Sequence, residues 1–377
     1  MKRKDFIKKG ILGGTALGLT GLVSSCQPEA STTNESSIPN INFNKTFDWR
    51  MTTVWGKNFP VLGESANMLA DLVNKMSGGR LRIKIYGSGE LVPGYETFDA
   101  VSVGVTEMGC GASYYWQGKS PAAVFFTAVP FGMNAQQMSS WLIAGKAEGY
   151  QLWKETYEPF NLMPFLGGNT GVQMGGWFNK EINSFADLKG LKMRIPGLAG
   201  KVLEKAGGAA INVPAGEIFT NLERGVIDAT EWVGPYHDYK LGLHKAAKYY
   251  YSPGWHETGS QMEFIANLDA WKTLPQDLQE ILYSASINVY AWMLAEFDQK
   301  NAEFLEIIKK ETDVQVKEFP TEVLAQLKIY SKEAIGEIIK SNKLAKRVYE
   351  SYLLHQNRLN NWSDLTEKAY YNKIANL

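Results

Sequence analysis

The sequence predicts a two-lobed α/β body that ends in long helices. Three observations carry that expectation. Strand-like and helix-like patterns alternate through two separate series. The globular stretch from Thr46 onward, about 330 residues, is longer than a single core usually organises. The C-terminal quarter then changes to sustained helical spacing with few breakers.

The first series opens on Phe47 to Trp55, which alternates like a strand. Glu64 to Met76 places Ala66, Leu69, Ala70, Leu72, Val73 and Met76 at helical spacing, and Ser77-Gly78-Gly79 is a fitting stop. Leu81 to Tyr86 alternates strictly and reads as a strand, followed by a helix from Gly94 to Val103 and a short apolar stretch near Met108. That rhythm implies a βαβ parallel sheet. The second series starts near Pro164. Strands are expected at Gly175–Phe178, Leu191–Ile195, Ala210–Val213 and Ala229–Trp232, the last ending at Gly234-Pro235. Between them fall a turn at Ser184–Leu188 and helices at Gly197–Ala206 and Gly216–Arg224. The tail reads as one helix over Gln276–Thr312 and an interrupted one over Thr321–Ser363. Lobe boundaries follow: 46–168 for the first lobe, 169–255 for the second, and 256–377 for a return to the first lobe with the terminal helices.

Upstream of the body, Lys2, Arg3, Lys4, Lys8 and Lys9 precede an uncharged stretch from Gly10 to Ser25. A membrane-spanning helix needs roughly 20 predominantly apolar residues. This run is shorter and interrupted by glycines and hydroxyl residues, so it reads as a leader over residues 1–25. Leu22-Val23-Ser24-Ser25-Cys26 resembles a bacterial lipobox, which implies a lipid on Cys26 and anchorage to a membrane outside the cytoplasm. Arg3 to Lys8 resembles a twin-arginine export signal with lysine in the second position. Residues 26–45, rich in Ser, Thr, Asn, Pro and Glu, read as a flexible tether.

Composition excludes several function classes. The 39 basic and 39 acidic residues balance, and no basic block exists to neutralise phosphates, which argues against a nucleic-acid partner. Cys110 is the only cysteine beyond Cys26, so the mature body has no internal disulfide framework. The histidines, His237, His244, His256 and His355, form no zinc-like spacing. Gly-x-Ser-x-Gly is absent, and Gly87-Ser88-Gly89-Glu90 lacks the Gly-Lys-Ser/Thr of a phosphate loop.

Long blocks carry a resemblance to a known family. They are Gly168 to Trp177 (GNTGVQMGGW), Asp187 to Gly197 (DLKGLKMRIPG), Gly225 to Pro235 (GVIDATEWVGP) and Tyr249 to Glu257 (YYYSPGWHE). The sequence resembles the DctP-type solute-binding proteins of TRAP (tripartite ATP-independent periplasmic) transporters, in the subgroup that binds α-keto acids and related monocarboxylates. The resemblance runs from about Trp49 to about Leu282. It implies a periplasmic-binding-protein-like fold with the ligand cleft between the lobes, TRAP membrane subunits as partners and no catalysis.

The residues agree with that implication and leave alternatives open. Arg194 ends an apolar strand just before Pro196-Gly197, where ligands of open α/β sheets bind. A guanidinium there matches a carboxylate with two parallel hydrogen bonds, or forms a structural ion pair. Glu231 and Trp232 close another strand. A carboxylate in that place needs a partner, either Arg194 or a cation. The resemblance implies that Arg194 clamps the ligand carboxylate and that Asn169 touches the ligand. It also implies that the Glu231 side chain, the Trp232 carbonyl and Gln173 hold a metal ion beside the ligand. Glu257 falls where a fourth metal-side residue is expected, whereas His256 reads as a packing or hydrogen-bonding residue. Tyr114, Tyr115, Trp116 and Phe131 are candidates for the aromatic wall of the cleft. One positive charge on Arg194 faces three negatives, from the ligand, Glu231 and Glu257. The sum favours calcium over sodium if Glu257 faces the ion. Small 2-oxo and 2-hydroxy acids share the carboxylate and adjacent oxygen that such a site holds. A ligand-sensing lipoprotein and a carboxylate-processing enzyme using Glu231 and Glu257 are the rival readings. Finally, Ile287, Tyr290, Ala291, Leu294 and Phe297 recur at helical spacing, as a homodimer face or as packing onto the chain's own lobes.

Overall fold

The computed structural model describes residues 43–375 and 377. The expected leader, Cys26 and most of the tether lie outside the described residues. Two mixed sheets organise the body. The first contains β1 (Phe47–Thr53), β2 (Leu81–Tyr86), β3 (Met108–Gly111), β4 (Leu162–Asn169) and β10 (Gln261–Asn267), in the order β2-β1-β3-β10-β4. The second contains β5 (Gly176–Phe178), β6 (Lys192–Arg194), β7 (Ala209–Ile211), β8 (Ala229–Thr230), β9 (Tyr249–Ser252) and β11 (Gln315–Glu318), in the order β11-β9-β5-β8-β6-β7.

The predicted βαβ rhythm produces the parallel parts, β2-β1-β3 and β8-β6-β7. The expectation of wholly parallel sheets fails at one strand in each, β10 in the first and β5 in the second. β10 runs antiparallel to β3 and β4, and β5 antiparallel to β8 and β9. The reason is that the chain crosses between sheets. It leaves the first as β4 and enters the second as β5, then returns from β9 to β10, so each sheet receives a strand running backwards. The two crossing segments bond to each other: Gln173 N donates to the Glu257 carbonyl (3.1 Å), Gly254 N to the Gln173 carbonyl (2.8 Å) and Thr170 N to the Ser260 carbonyl (3.0 Å). An added Cβ on Gly254 would sit 2.3 Å from the Gln173 carbonyl oxygen, so only glycine permits this approach.

The helices among the described residues include α1 (Leu62–Met76), α2 (Gly197–Lys205), α3 (Pro235–Lys240), α4 (Gln276–Glu311), α5 (Thr321–Ser341) and α6 (Lys343–Leu365). α4 packs on β4, α1 and α3, then leads into β11 of the second sheet. α5 packs on α2, while α6 packs on the Pro121–Phe126 turn of the first lobe. The segment from 256 therefore contributes to both sheets. Asn342 makes the break foreseen in the tail, its side chain accepting from Ala345 N at 2.8 Å to cap α6. Among the described residues no helix is long and apolar enough to cross a membrane.

The α4 stripe belongs to the chain's own interior. Tyr290 and Phe297 are buried, Ile287 and Leu294 are half-buried and Ala291 is exposed, so packing onto the chain's own lobes accounts for most of the stripe. The large apolar side chains that remain exposed at the C-terminal end include Leu354, Trp362 and Leu365.

Glu263 on β10 lies at the centre of the first lobe, fully buried, accepting from Ser113 Oγ (2.6 Å), Tyr157 Oη (2.8 Å) and Trp116 Nε1. Burial pushes its carboxyl up to about 7, although those three donors oppose the shift. An acid whose folded pKa is raised binds more protons folded than unfolded, so its contribution to stability falls as pH rises toward 7. Glu263→Gln will flatten that part of the pH–stability curve, by about 3 kcal/mol between pH 4 and 8. Urea melts of both proteins across that range check it; parallel curves would remove Glu263 as a source of the slope.

Candidate functional site

The site lies where the carboxyl ends of the parallel strands of both lobes meet the crossing segments, the position that open α/β sheets use for ligands. A cleft of about 270 Å³, counted with its open mouth, is lined by Trp55, Tyr114, Tyr115, Thr170, Gln173, Arg194 and Trp232, among others. Trp55 follows β1, and Tyr114 and Tyr115 follow β3. Arg194 ends β6, and Trp232 follows β8. Gly197, at φ +63°, starts α2 with its Cβ position 3.4 Å from the Tyr114 ring, so the second lobe closes directly against that tyrosine.

Arg194 is 1 % exposed, the clearest departure from an ordinary surface arginine. Its Nη1 donates to the Glu231 carbonyl (3.1 Å) and to Glu231 Oε1, while its Cζ lies 4.9 Å from the Trp232 ring centroid. Nε is buried without a partner in the protein. Burial works against the charge, but Glu231 and the tyrosines Tyr115, Tyr95 and Tyr114 outweigh it, so the guanidinium pKa is raised. The ion pair that the sequence left open is therefore present, and it occupies one nitrogen of the fork.

Glu231 is equally buried, and its second oxygen lies 3.4 Å from His256 Nε2. Glu257 accepts from Gln173 Nε2 (2.8 Å) and from Ser260 Oγ. Burial and then the Glu231 charge push the Glu257 carboxyl up to about 7, against the pull of His256, Ser260 and Arg194. Ligand-competent atoms of Glu231, His256 and Glu257 all lie within 4.8 Å of one another. Gln173 Oε1 and both ring nitrogens of His256 lack hydrogen-bond partners in the protein. Two buried carboxylates, an orphaned amide oxygen and an unpartnered imidazole in one cluster match the donor set of a hard cation, with the imidazole at its margin.

The structure brings together Arg194, Gln173, Glu231, Trp232, Glu257, Tyr114 and Tyr115, and separates three other expected residues from the cleft lining. The Asn169 amide is held between its own turn and the returning segment, accepting from Gly171 N (2.9 Å) and donating to the Gly259 carbonyl (3.2 Å). Trp116 turns into the first-lobe core to serve Glu263. Phe131 stacks on Trp255 at 5.8 Å and packs against the second-lobe core. Sequence reasoning passed over Trp55, which the strand-end rule applied to Arg194 would have found. It also set aside His256, whose proximity to Glu231 has no local signature. β8 stops at Thr230, so Glu231 and Trp232 lie in the loop beyond it, held by Asp238. That carboxylate accepts from Trp177 Nε1 (2.8 Å), Tyr250 Oη (2.7 Å) and Val233 N (3.3 Å), while burial pushes it up to about 7.

A second chamber of about 580 Å³, likewise counted with its open mouth, adjoins the first, sharing Trp55, Tyr115 and Trp232 and adding Val54, Pro93, Tyr95, Pro214 and Ala215. Tyr95 Oη donates to Asn212 Oδ1 (3.3 Å) between the lobes.

Comparison with known proteins adds to this geometry. The family model described as DctP, bacterial extracellular solute-binding protein, family 7, matches residues 51–342. A monocarboxylate 2-oxoacid-binding periplasmic protein of Nostoc sp. is 40% identical over 372 residues, covering 99% of this chain and 98% of the relative. A TRAP periplasmic solute-binding protein from Colwellia psychrerythraea, solved with calcium and pyruvate, shares 41% identity at a TM-score of 0.85, covering 88% of this chain and 100% of that one. One from Pseudoalteromonas atlantica, solved with sodium and pyruvate, shares 40% identity at a TM-score of 0.84, with the same coverage.

Proposed function

We propose, because this chain belongs to the DctP family of bacterial extracellular solute-binding proteins, that it captures a small 2-oxo or 2-hydroxy monocarboxylate together with a cation and delivers it to TRAP membrane subunits. The observation that supports this best is the joint burial of Arg194, Glu231 and Glu257 around one cleft. A guanidinium with a free buried Nε is a seat for a carboxylate, accepted side-on through two parallel hydrogen bonds. The adjacent Glu231, Glu257 and Gln173 oxygens would hold the ion, which supplies electrostatic attraction for the acid's second oxygen. His256 stands beside Glu231, and the Trp232 carbonyl completes the proposed shell.

Calcium fits the charge count better than sodium. The approach of Glu257 to within reach of Glu231 supports the divalent choice, which required Glu257 to face the ion. Arg194 and calcium together carry three positive charges, against three negative ones from Glu231, Glu257 and the ligand. Similar proteins have been solved with pyruvate and either ion bound. The chain has no catalytic step in this reading: both carboxylates are occupied in binding. In this reading export and lipidation at Cys26 would hold the body outside the cytoplasm at a membrane.

A thermal-shift screen of pyruvate, lactate and longer 2-oxo acids, with calcium, sodium or chelator, tests the assignment. The second chamber is the reason for including the longer acids. Pyruvate with calcium should raise the melting temperature by several degrees, since a ligand at a hundred times its Kd contributes about 2.7 kcal/mol. No shift with any acid under any ionic condition would defeat the carboxylate reading.

A further inference from the structure

His237 joins the two lobes through both of its ring nitrogens. It is 1 % exposed on α3, five residues after Trp232. Nδ1 accepts from the Trp232 indole Nε1–H (3.2 Å), and Nε2 lies 2.7 Å from the carbonyl oxygen of Pro60, in the β1–α1 loop of the other lobe. A carbonyl only accepts and an indole N–H only donates, so the two partners select the neutral tautomer with its proton on Nε2. Burial pushes the ring's pKa down to about 3, in keeping with a neutral imidazole. The rings packed around it, Phe59 at 5.3 Å, Phe297 at 4.8 Å and Tyr236 at 5.7 Å, bring no charge.

The Pro60 carbonyl is presented by a strained turn. Val61 has φ +54° and ψ −57°, a rare positive-φ γ-turn closed by Leu62 N donating back to Pro60 O. A β-branched residue in that conformation is an outlier, and such strain persists only where the surroundings fix it. Val61 is fully buried and its N–H bonds Glu64 Oε2 at 2.9 Å, which ties the turn to the start of α1. The neighbouring Phe59 ring meets the Trp232 ring edge-on at 5.9 Å. The first-lobe loop thus contacts the Trp232–His237 pair through one hydrogen bond and two ring contacts. Trp232 in turn lies over the Arg194 guanidinium.

We propose that His237 is a positioning residue and cross-cleft latch: its bond to Pro60 forms as the lobes close, and its bond to Trp232 sets the indole over Arg194. Closure and completion of the carboxylate seat are then one event. The proposal rests on the solute-binding reading above but on no particular acid. The latch holds the bound state, so its loss raises the ligand's dissociation rate and leaves the encounter rate alone.

The test uses pyruvate with calcium as the probe and stopped-flow tryptophan fluorescence as the readout. His237→Phe keeps the ring packing and removes both hydrogen bonds. It should raise the dissociation rate roughly tenfold, with the association rate within about twofold and the unliganded melting temperature nearly unchanged. His237→Gln retains an N–H for Pro60 and should recover most of the loss, which separates a hydrogen-bonding role from a steric one. A dissociation rate in His237→Phe equal to the parent's overturns the latch. Backbone hydrogen exchange gives a second arm, read as the protection that pyruvate and calcium add. In the parent, residues 56–64 of the first lobe and 231–238 should gain protection together; in His237→Phe the gain at 56–64 should be lost, and a gain there equal to the parent's also overturns the proposal. If the parent binds no pyruvate, the carboxylate assignment fails for that acid and both measurements use the acid of the thermal-shift screen with the largest shift; if no acid binds, the latch falls with the solute-binding reading. Should His237→Phe fail to fold, both measurements are made on His237→Gln and His237→Leu, and the latch falls if leucine matches glutamine.

Discussion

Replacing Arg194 with lysine will weaken pyruvate binding by roughly thirty-fold to a few thousand-fold, the equivalent of about 2–5 kcal/mol for disrupting a buried charged pair. The expectation follows from how the guanidinium is divided. Nη1 serves Glu231, and Nε faces no protein acceptor. A lysine ammonium is a point charge on a flexible stem and cannot hold Glu231 and a side-on carboxylate in one plane. Its more compact head also leaves the space beneath Trp232 underfilled, where the guanidinium carbon now lies 4.9 Å from the ring centroid. Calorimetric titration of the variant decides the matter, with a melt of the unliganded protein alongside. Unchanged affinity in a folded lysine variant would show that Arg194 serves only its ion pair with Glu231.

The second large effect concerns the ion. In chelator with excess sodium, pyruvate affinity will fall at least tenfold, and calcium will restore it. Glu231 and Glu257 lie within reach of one another and are both nearly inaccessible, so their charges are poorly screened. A divalent ion balances them together with the ligand; sodium leaves one negative charge uncompensated. Glu257→Gln removes that charge and should shift the preference toward sodium while retaining pyruvate binding. The Glu257 carboxyl, raised to about 7 by burial and by Glu231, adds a pH signature. Calcium requires the ionised form, so apparent calcium affinity should decline as pH falls below 7 and level off above it. Full affinity in sodium and chelator, with no response to calcium, would refute the divalent assignment.

Local pattern and tertiary arrangement decided different things in this protein. The strict alternation of Leu81–Tyr86, the helical spacing ending at Ser77-Gly78-Gly79, and the strand-end position of Arg194 depend on side-chain periods of two or 3.6, which neighbouring residues express by themselves. Those features were legible in the sequence, and the long blocks around Arg194 and Glu231 pointed to the family. The backward strands β5 and β10 were not, because direction in a sheet depends on which lobe the chain last visited. The meeting of Glu231 with His256 and Glu257 also needed the tertiary structure, since it requires the crossing from β9 back to β10. Tyr114, Tyr115 and Trp116 show the boundary within a single turn of 3₁₀ helix. All three follow the same strand, yet two face the cleft and Trp116 faces inward. The buried Glu263 needs donors from its surroundings, and that demand, set 147 residues away along the chain, draws the indole into the core.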